Sequence, residues 1–189
     1  MDANILKDRF LSLCAKVNRK GMDNLIRYLE ASDFFTAPAS ARLHCSFPGG
    51  LLLHSLNVYD EFVRLLEAYK DVVTVTEESA IIMCLFHDLC KANTYAPEKR
   101  NRKNEEGKWE TYDAYTRKEK FCFGGHGSKS VFILQSYIPL TAVEAVAINC
   151  HMSCWDGNKD VGEAFEQYPE AWLLHVADEA ATYIREADQ

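Results

Sequence analysis

The sequence predicts a mainly helical fold in one domain, with a small β-hairpin inserted. Apolar residues recur at helical spacing over most of the 189 residues. One stretch, residues 94–123, is instead charged and aromatic, and Glu105-Glu106-Gly107-Lys108 is placed like a turn within it. No internal repeat, low-complexity tract or linker divides the chain, whose length suits one domain over residues 1–189. We therefore expect an all-α domain with a hairpin insertion.

Helices are predicted on both sides of a proline-containing segment in the first half of the chain. Residues 4–30 have helical spacing, which Gly21 is expected to divide into two helices. Residues 34–48 predict an ordered loop. A helix over residues 51–69 follows Gly49-Gly50, and Thr76 predicts the N-cap of a helix over residues 77–90.

Three more helices are expected after the insertion, over residues 128–137, 141–150 and 170–187. The glycine-flanked loop 124–127 precedes the first of them, and residues 155–168 form a polar, partly helical connection. In the last helix the residues expected to face the core are Trp172, Leu173, Val176, Ala177, Ala180 and Ile184.

Composition narrows the class of protein and its partners. The formal net charge of -7 does not favour long-range attraction to nucleic acid or to anionic membranes. No apolar run approaches the roughly 18 residues of a membrane span, and the first residues do not resemble a secretory signal. The seven cysteines are odd in number and scattered, which predicts reduced thiols in a cytoplasmic protein without a membrane partner.

Ionisable residues occur repeatedly where the pattern calls for a hydrophobe. His87-Asp88 follows six apolar residues, His54 follows three leucines, and His151 and Asp178 lie in or at the ends of apolar helices. Burying such groups without partners is costly, and a metal ion supplies a partner. Imidazole with carboxylate suits Mn, Fe, Ni or Zn, while the absence of an obligatory thiolate argues against a structural zinc site.

The order of these residues along the chain resembles the HD-domain superfamily of metal-dependent phosphohydrolases. The pattern comprises His54, His87, Asp88, His126, His151 and Asp178. The matching stretches, which span most of the chain from about residue 38, are GGLLLHSLNVYD, IIMCLFHDLCKANTY, GGHGSKSV, INCHMS and LLHVADEA. One departure is Cys90, where many similar proteins have glycine.

The resemblance implies a helical bundle with a two-metal site at its centre. The residues implied to hold a first ion are His54, His87, Asp88 and Asp178. Asp88 would bridge to a second ion, which His126 and His151 would complete. The ions expected are divalent, from among Mn, Fe, Ni, Zn and Mg.

The two-metal template implies hydrolysis of a phosphomonoester or phosphodiester. Ions roughly 3.5–4 Å apart would hold a hydroxide that attacks phosphorus in line. Lys91 lies three residues after Asp88 and four after His87, so on a continuing helix it would share their face and bind phosphate. By analogy with similar proteins, the expected substrate is a nucleotide, cyclic nucleotide or short oligonucleotide.

Several residues have two interpretations. His44 is expected either to contact substrate or to make a structural hydrogen bond, and Lys129, with Ser128, either to bind an anion or simply to begin a helix. The basic residues 99–103, together with Arg117-Lys118, form either a solvated hairpin face or a flap that attracts phosphates. His175 is expected to pack, and Cys150 and Cys154 lack the second pair of a zinc knuckle.

Two other functions remain compatible with the pattern. Some proteins of this fold hold two irons with the same six ligands and oxidise small substrates with oxygen. A sensor that binds a nucleotide without turning it over is the third hypothesis, and homo-oligomers are compatible with all three.

Overall fold

The computed structural model describes residues 2–118, 124–156 and 159–187. Within these ranges the chain forms eight α-helices and one two-stranded antiparallel sheet, which confirms the mainly helical prediction with one hairpin. The elements are α1 (Ala3–Cys14), α2 (Met22–Ala31), α3 (Gly50–Ala68), α4 (Glu77–Phe86), β1 (Tyr95–Lys103), β2 (Trp109–Arg117), α5 (His126–Gln135), α6 (Ala142–Cys150), α7 (Val161–Gln167) and α8 (Pro169–Ala180). None of the helices in the described ranges has the length and apolar character that a membrane span requires.

Local sequence signals explain where several helices begin. Gly21 separates α1 from α2 with φ of +98°, and a Cβ there would lie 1.9 Å from the carbonyl oxygen of Tyr137. The Thr76 hydroxyl accepts a hydrogen bond from the Ser79 amide at 3.1 Å, as its predicted N-cap role requires. Thr141 caps α6 in the same way, in a reciprocal capping box with Glu144.

Helix α3 runs through the middle of the molecule and packs against α4 and α8, while α8 also packs against α6. A large apolar cluster joins α1 and α2 to α3 and α4, and Phe10 is its centre, with the rings of Phe34 and Phe86 at 5.3 and 5.8 Å. A second cluster fills the space between α3, α4 and α8. These packed helices form the frame that carries the polar residues described below.

A buried ion pair fixes α6 relative to the rest of the bundle. Arg19, in the α1–α2 loop, donates two hydrogen bonds to the Glu144 carboxylate, at 2.6 and 2.8 Å. Ser79 of α4 donates a third at 2.8 Å, and the Glu144 side chain is fully buried. Since His151 follows directly after α6, this network also holds one end of the site in place.

The hairpin lies within the predicted insertion, and its turn is where the sequence placed it. Tyr95 pairs with Arg117 and Lys103 with Trp109, and Gly107 adopts φ of +76° between the strands. Lys99 and Arg102 pair with Asp113 and Glu110 across the strands. Because these two basic side chains already have acidic partners, this part of the hairpin favours a charge-balanced, solvated face over a phosphate-attracting flap. Residues 119–123, the last part of the predicted insertion, lie outside the described part of the chain.

The helix ends near the site differ from the predictions. Helix α4 ends at Phe86, not residue 90, and a 3-10 turn over Leu89–Lys91 follows. Helix α5 begins at His126, so this residue lies in the first turn rather than in a loop.

The final helix also departs from its prediction, because α8 ends at Ala180 and a π-helical turn follows over Ala181–Arg185. Trp172 and Ile184 were expected to face the core, but they are 39% and 77% exposed. The π turn rotates Ile184 away from the apolar face. Trp172 instead packs its ring edge-on to Tyr69 at the surface, with ring centroids 6.1 Å apart.

Candidate metal centre

Five of the six predicted ligands meet in the interior of the helical bundle. Helix α3 provides His54, the end of α4 provides the adjacent His87 and Asp88, the end of α6 provides His151, and α8 provides Asp178. All five are buried, and the three imidazoles have no exposed surface. Residues far apart in sequence therefore converge on one point.

The inward-facing atoms lie at the separations of ligands around a common cation. His54 Nε2 is 3.1 Å from Asp178 Oδ1 and 3.3 Å from His87 Nε2. His87 Nε2 is 3.4 Å from Asp88 Oδ2, and groups of three such residues have ligand atoms within 4.8 Å of one another. The cluster can hold a metal ion.

Contacts at Nδ1 orient the three buried imidazoles. Nδ1 of His87 donates to the carbonyl oxygen of Cys84 at 2.8 Å, and Nδ1 of His151 donates to that of Ile148 at 2.7 Å. Nδ1 of His54 contacts a carboxylate, described below. A ring whose Nδ1–H is engaged in this way directs the Nε2 lone pair forward, which is the usual arrangement of metal-binding histidines.

The electrostatics of the centre favour positive charge. Burial lowers the pKa of His54, but its hydrogen bonds to Asp178 and Glu186 outweigh burial and raise that pKa to about 10. Burial also opposes a charge on His151, yet the adjacent Asp88 raises its pKa. The pKa of Asp88 falls well below the ordinary aspartate value, since Lys91 and His87 overcome the opposing effect of burial. A divalent cation bound here would be stabilised by the same buried carboxylates.

Two buried atoms supply a direct test of whether a metal fits. Asp88 Oδ1 and His151 Nε2 have no hydrogen-bond partner in the described part of the chain. They lie 3.6 Å apart, beyond hydrogen-bonding distance. An orphaned carboxylate oxygen and an orphaned imidazole nitrogen that face each other match the donor set of a transition-metal ion.

His126 approaches the cluster from its other side. Its side chain groups with Asp88 and Cys90, with ligand atoms within 4.8 Å, and is half-buried. Its Nδ1 lies 3.7 Å from Cys90 Sγ, and its Nε2 lies 3.3 Å from a terminal guanidinium nitrogen of Arg117. Asp88 thus belongs to both groups, as a bridging carboxylate would.

Lys91 lies beside the cluster although α4 does not extend to it. The 3-10 turn brings its ammonium nitrogen to 2.5 Å from Asp88 Oδ2, with the side chain almost fully buried. Burial lowers its pKa, but the Asp88 charge outweighs this and raises the pKa above the ordinary lysine value. The predicted proximity to Asp88 is present, but a different helix type produces it.

A pocket of about 500 Å³ opens over the cluster. Asp88, Lys91, His126 and Asp178 contribute polar groups to its lining. The other side chains include Leu43, Tyr95, Met152, Trp155 and Tyr183. The polar groups of the candidate centre therefore share one cavity with an apolar and aromatic wall.

The remaining predicted residues divide between the pocket and the packed interior. His44 lines the pocket, its ring lies 4.7 Å from that of His54, and burial lowers its pKa to about 4. Neither of its ring nitrogens has a hydrogen-bond partner among the described residues, which favours the substrate-contact interpretation. Lys129 is buried in α5 and does not line the pocket. His175 packs as expected, since its Nδ1 donates to the carbonyl oxygen of His151 and its ring stacks on Phe165.

The sequence analysis missed Glu186. This carboxylate is 1% exposed and lies behind His54, with its oxygens 3.1 and 3.2 Å from His54 Nδ1. Regular helical spacing gave no signal for it, because the π turn determines which way residue 186 faces.

Comparisons with protein-family models, with curated proteins and with solved structures found no match to this chain.

Proposed function

We propose that this protein is a metal-dependent phosphohydrolase of the HD type that hydrolyses a phosphomonoester or phosphodiester. The proposal rests mainly on the groups that surround Asp88. Its carboxylate lies among buried imidazoles, beside the buried ammonium of Lys91, at a pocket large enough for a small substrate. Carboxylate, imidazole and ammonium in this arrangement suit the binding of a metal and of phosphate together.

The residues divide into two functional sets. The set proposed to hold two divalent ions is His54, His87, Asp88, His126, His151 and Asp178. When bound, such ions supply Lewis-acid stabilisation of phosphoryl oxygens and a nucleophile at neutral pH.

Lys91 binds a phosphate oxygen of the substrate as an ammonium, because its proton is held firmly beside Asp88. His44 is neutral at pH 7 and faces the pocket, where either ring nitrogen can orient the ester by a hydrogen bond. Burial of the centre excludes bulk water and strengthens each of these contacts.

The pocket favours a nucleotide over an inorganic or very small ester. Trp155 and Tyr183 line it while 76% and 66% exposed, so their faces are available to a flat ring. Base stacking on such side chains contributes about 1–3 kcal/mol. The paired charges of the hairpin offer less support for a long oligonucleotide.

Alanine substitutions at Asp88 and Lys91 test the proposal. Asp88→Ala is expected to lose bound metal and hydrolysis together while the helical circular dichroism remains. Lys91→Ala is expected to keep its metal and to lower kcat by about 10²–10³-fold, as when one group that stabilises developing charge is removed. Metal content is measured by elemental analysis of protein purified without chelator, and hydrolysis with mononucleotides, cyclic dinucleotides and a generic phosphodiester.

Asp71→Ala and Lys20→Ala are the matched controls, since both side chains are exposed. Normal hydrolysis by Asp88→Ala would contradict the proposed function, and loss of metal from Lys91→Ala would remove Lys91 from its role. Iron content with oxygen uptake, measured on the same preparations, distinguishes phosphohydrolase activity from di-iron oxidation.

A further inference from the structure

A buried carboxylate lies directly behind His54, on the side opposite Asp178. Both oxygens of Glu186 are within 3.2 Å of His54 Nδ1, and Asn57 donates to one of them at 2.8 Å. The opposite ring nitrogen, His54 Nε2, lies 3.1 Å from Asp178 Oδ1. The imidazole is therefore held between two carboxylates, one facing the metal centre and one behind it.

We infer that Glu186 is the positioning residue of the metal centre, which holds His54 Nδ1–H so that Nε2 is presented to the ion. This inference rests on the proposed metal-dependent function. Glu186 does not line the pocket and is not assigned to the ligand set. It acts on the substrate only through His54.

The π turn explains how Glu186 reaches this position. In a regular α-helix a residue eight positions after Asp178 lies roughly 80° further around the axis. The turn over Ala181–Arg185 winds more slowly, with the Glu186 amide donating to the carbonyl oxygen of Ala181 at 3.0 Å, five residues earlier. Slower winding reduces the offset and returns Glu186 to the face of Asp178, so both carboxylates reach the same imidazole.

The charge of Glu186 has no other evident use in the described part of the chain. It forms no ion pair there with a lysine or arginine, and neighbouring Arg185 instead contacts Asp60 and Glu61. A carboxylate buried in this way is costly unless it is paired and hydrogen-bonded. His54, Asn57 and the Cys45 thiol supply those contacts, and His54 is the one of the three that can carry a positive charge, so the cost is tied to the orientation of His54.

His54 also differs from the other two buried ligands. His87 and His151 donate Nδ1–H to backbone carbonyl oxygens, whereas His54 has a charged acceptor. A carboxylate behind a ligating imidazole raises its basicity as a ligand and fixes its tautomer. Glu186 therefore strengthens one ligand selectively.

Three variants test this role with Mn²⁺ alone as the probe. Glu186→Ala removes the acceptor, Glu186→Gln keeps the shape but removes the charge, and Glu166→Gln is the control, at an exposed position on α7. We expect the Mn²⁺ dissociation constant to rise by about 10–100-fold in Glu186→Ala, by less in Glu186→Gln, and not in the control. Free Mn²⁺ is measured by electron paramagnetic resonance during titration of chelator-treated protein.

A second measurement separates positioning from a general structural role. In ¹H–¹⁵N NMR spectra of the chelator-treated protein, the His54 Nδ1–H is expected to give a strongly downfield, slowly exchanging signal in the control and to lose that signal in Glu186→Ala. Loss of stability alone would not remove this single hydrogen bond from a folded chain. Thermal unfolding by circular dichroism identifies any variant that does not fold, and Glu186→Gln then carries the test because its shape is unchanged.

The outcomes distinguish this inference from the proposed function. If both Glu186 variants bind Mn²⁺ as tightly as Glu166→Gln while Asp88→Ala does not bind it, the positioning role is wrong and the metal centre stands. If Asp88→Ala also binds Mn²⁺ normally, the proposed function itself fails.

Discussion

Gly127 lies where α5 packs closest to α6, so Gly127→Ala tests whether that close approach positions His126. A Cβ at residue 127 would lie 2.4 Å from the carbonyl oxygen of Asn149 and 2.5 Å from that of Ile148. Carbon–oxygen contacts rarely fall below about 3.3 Å, so α5 would have to move away from α6 by about 0.9 Å. Both obstructing atoms are backbone, which a rotamer change cannot relieve.

The expected cost follows from two opposing effects. Forcing an extra carbon into a packed interface costs about 1–3 kcal/mol. Replacing glycine within a helix recovers at most about 1 kcal/mol. Because both obstructing atoms are backbone, the upper half of that range applies, and after the recovery we expect the free energy of unfolding to fall by about 1–2 kcal/mol.

Metal binding should change more selectively than stability. His126, adjacent to the substitution, would move with α5 away from Asp88, whereas His54, His87 and Asp178 belong to other elements. The Mn²⁺ stoichiometry is therefore expected to fall from the two ions proposed to one.

Urea unfolding and Mn²⁺ titration measure the two effects, with Gly162→Ala as the control. Gly162 is also helical, but a Cβ there would meet no atom within 4 Å, so this variant should be as stable as the parent or slightly more so. Equal stability and equal Mn²⁺ stoichiometry in the two variants would refute the packing argument.

Two further predictions concern pH. Burial raises the pKa of Glu144, but the hydrogen bonds from Arg19 outweigh burial and lower that pKa. The pair therefore stabilises the fold fully above the ordinary glutamate pKa of about 4.3, and this stabilisation is lost as the pH falls through the lowered pKa. Urea unfolding at pH 7 and at pH 3 should show a smaller pH dependence for Glu144→Gln than for the parent, and an unchanged dependence would count against the pair. Mn²⁺ affinity should increase with pH between about 6 and 9. Because the pKa values of His54 and His151 are raised, a metal ion must displace a proton from these rings. The affinity should therefore rise by up to about tenfold per pH unit for each proton displaced. Titrations at a series of pH values measure this increase, and a flat affinity would contradict the ligand assignment.

The helices were predictable where local sequence signals determine them. Thr76 marked the start of α4, and Gly21 separated α1 from α2, because capping and backbone freedom are local properties. The end of α4 was not predictable in the same way. Its apolar pattern runs past Phe86, yet the backbone changes to a 3-10 turn where Asp88 and Lys91 face the centre. Contacts with residues distant in sequence determine that change.

The candidate ligands were visible because a polar side chain stood out in an apolar segment. His54 follows three leucines and Asp178 follows an apolar stretch of α8, so both broke a pattern that their neighbours kept. Glu186 broke no pattern, since a charged residue near the end of a helix is ordinary. Its burial becomes apparent only once the π turn is known, and the same turn makes the Ile184 prediction wrong.

The charges collected around His54 suit a divalent cation better than a purely structural polar cluster. Asp88, Asp178 and Glu186 are held ionised and Lys91 is held protonated, so these four groups carry a net charge of -2. One divalent ion would neutralise them, whereas two would leave a charge of +2 at the pocket that Lys91 lines. A phosphate dianion is the complementary ligand for that charge. In the proposed dinuclear centre, the carboxylate behind His54 would strengthen a ligand and also help to set the charge that a phosphate substrate meets.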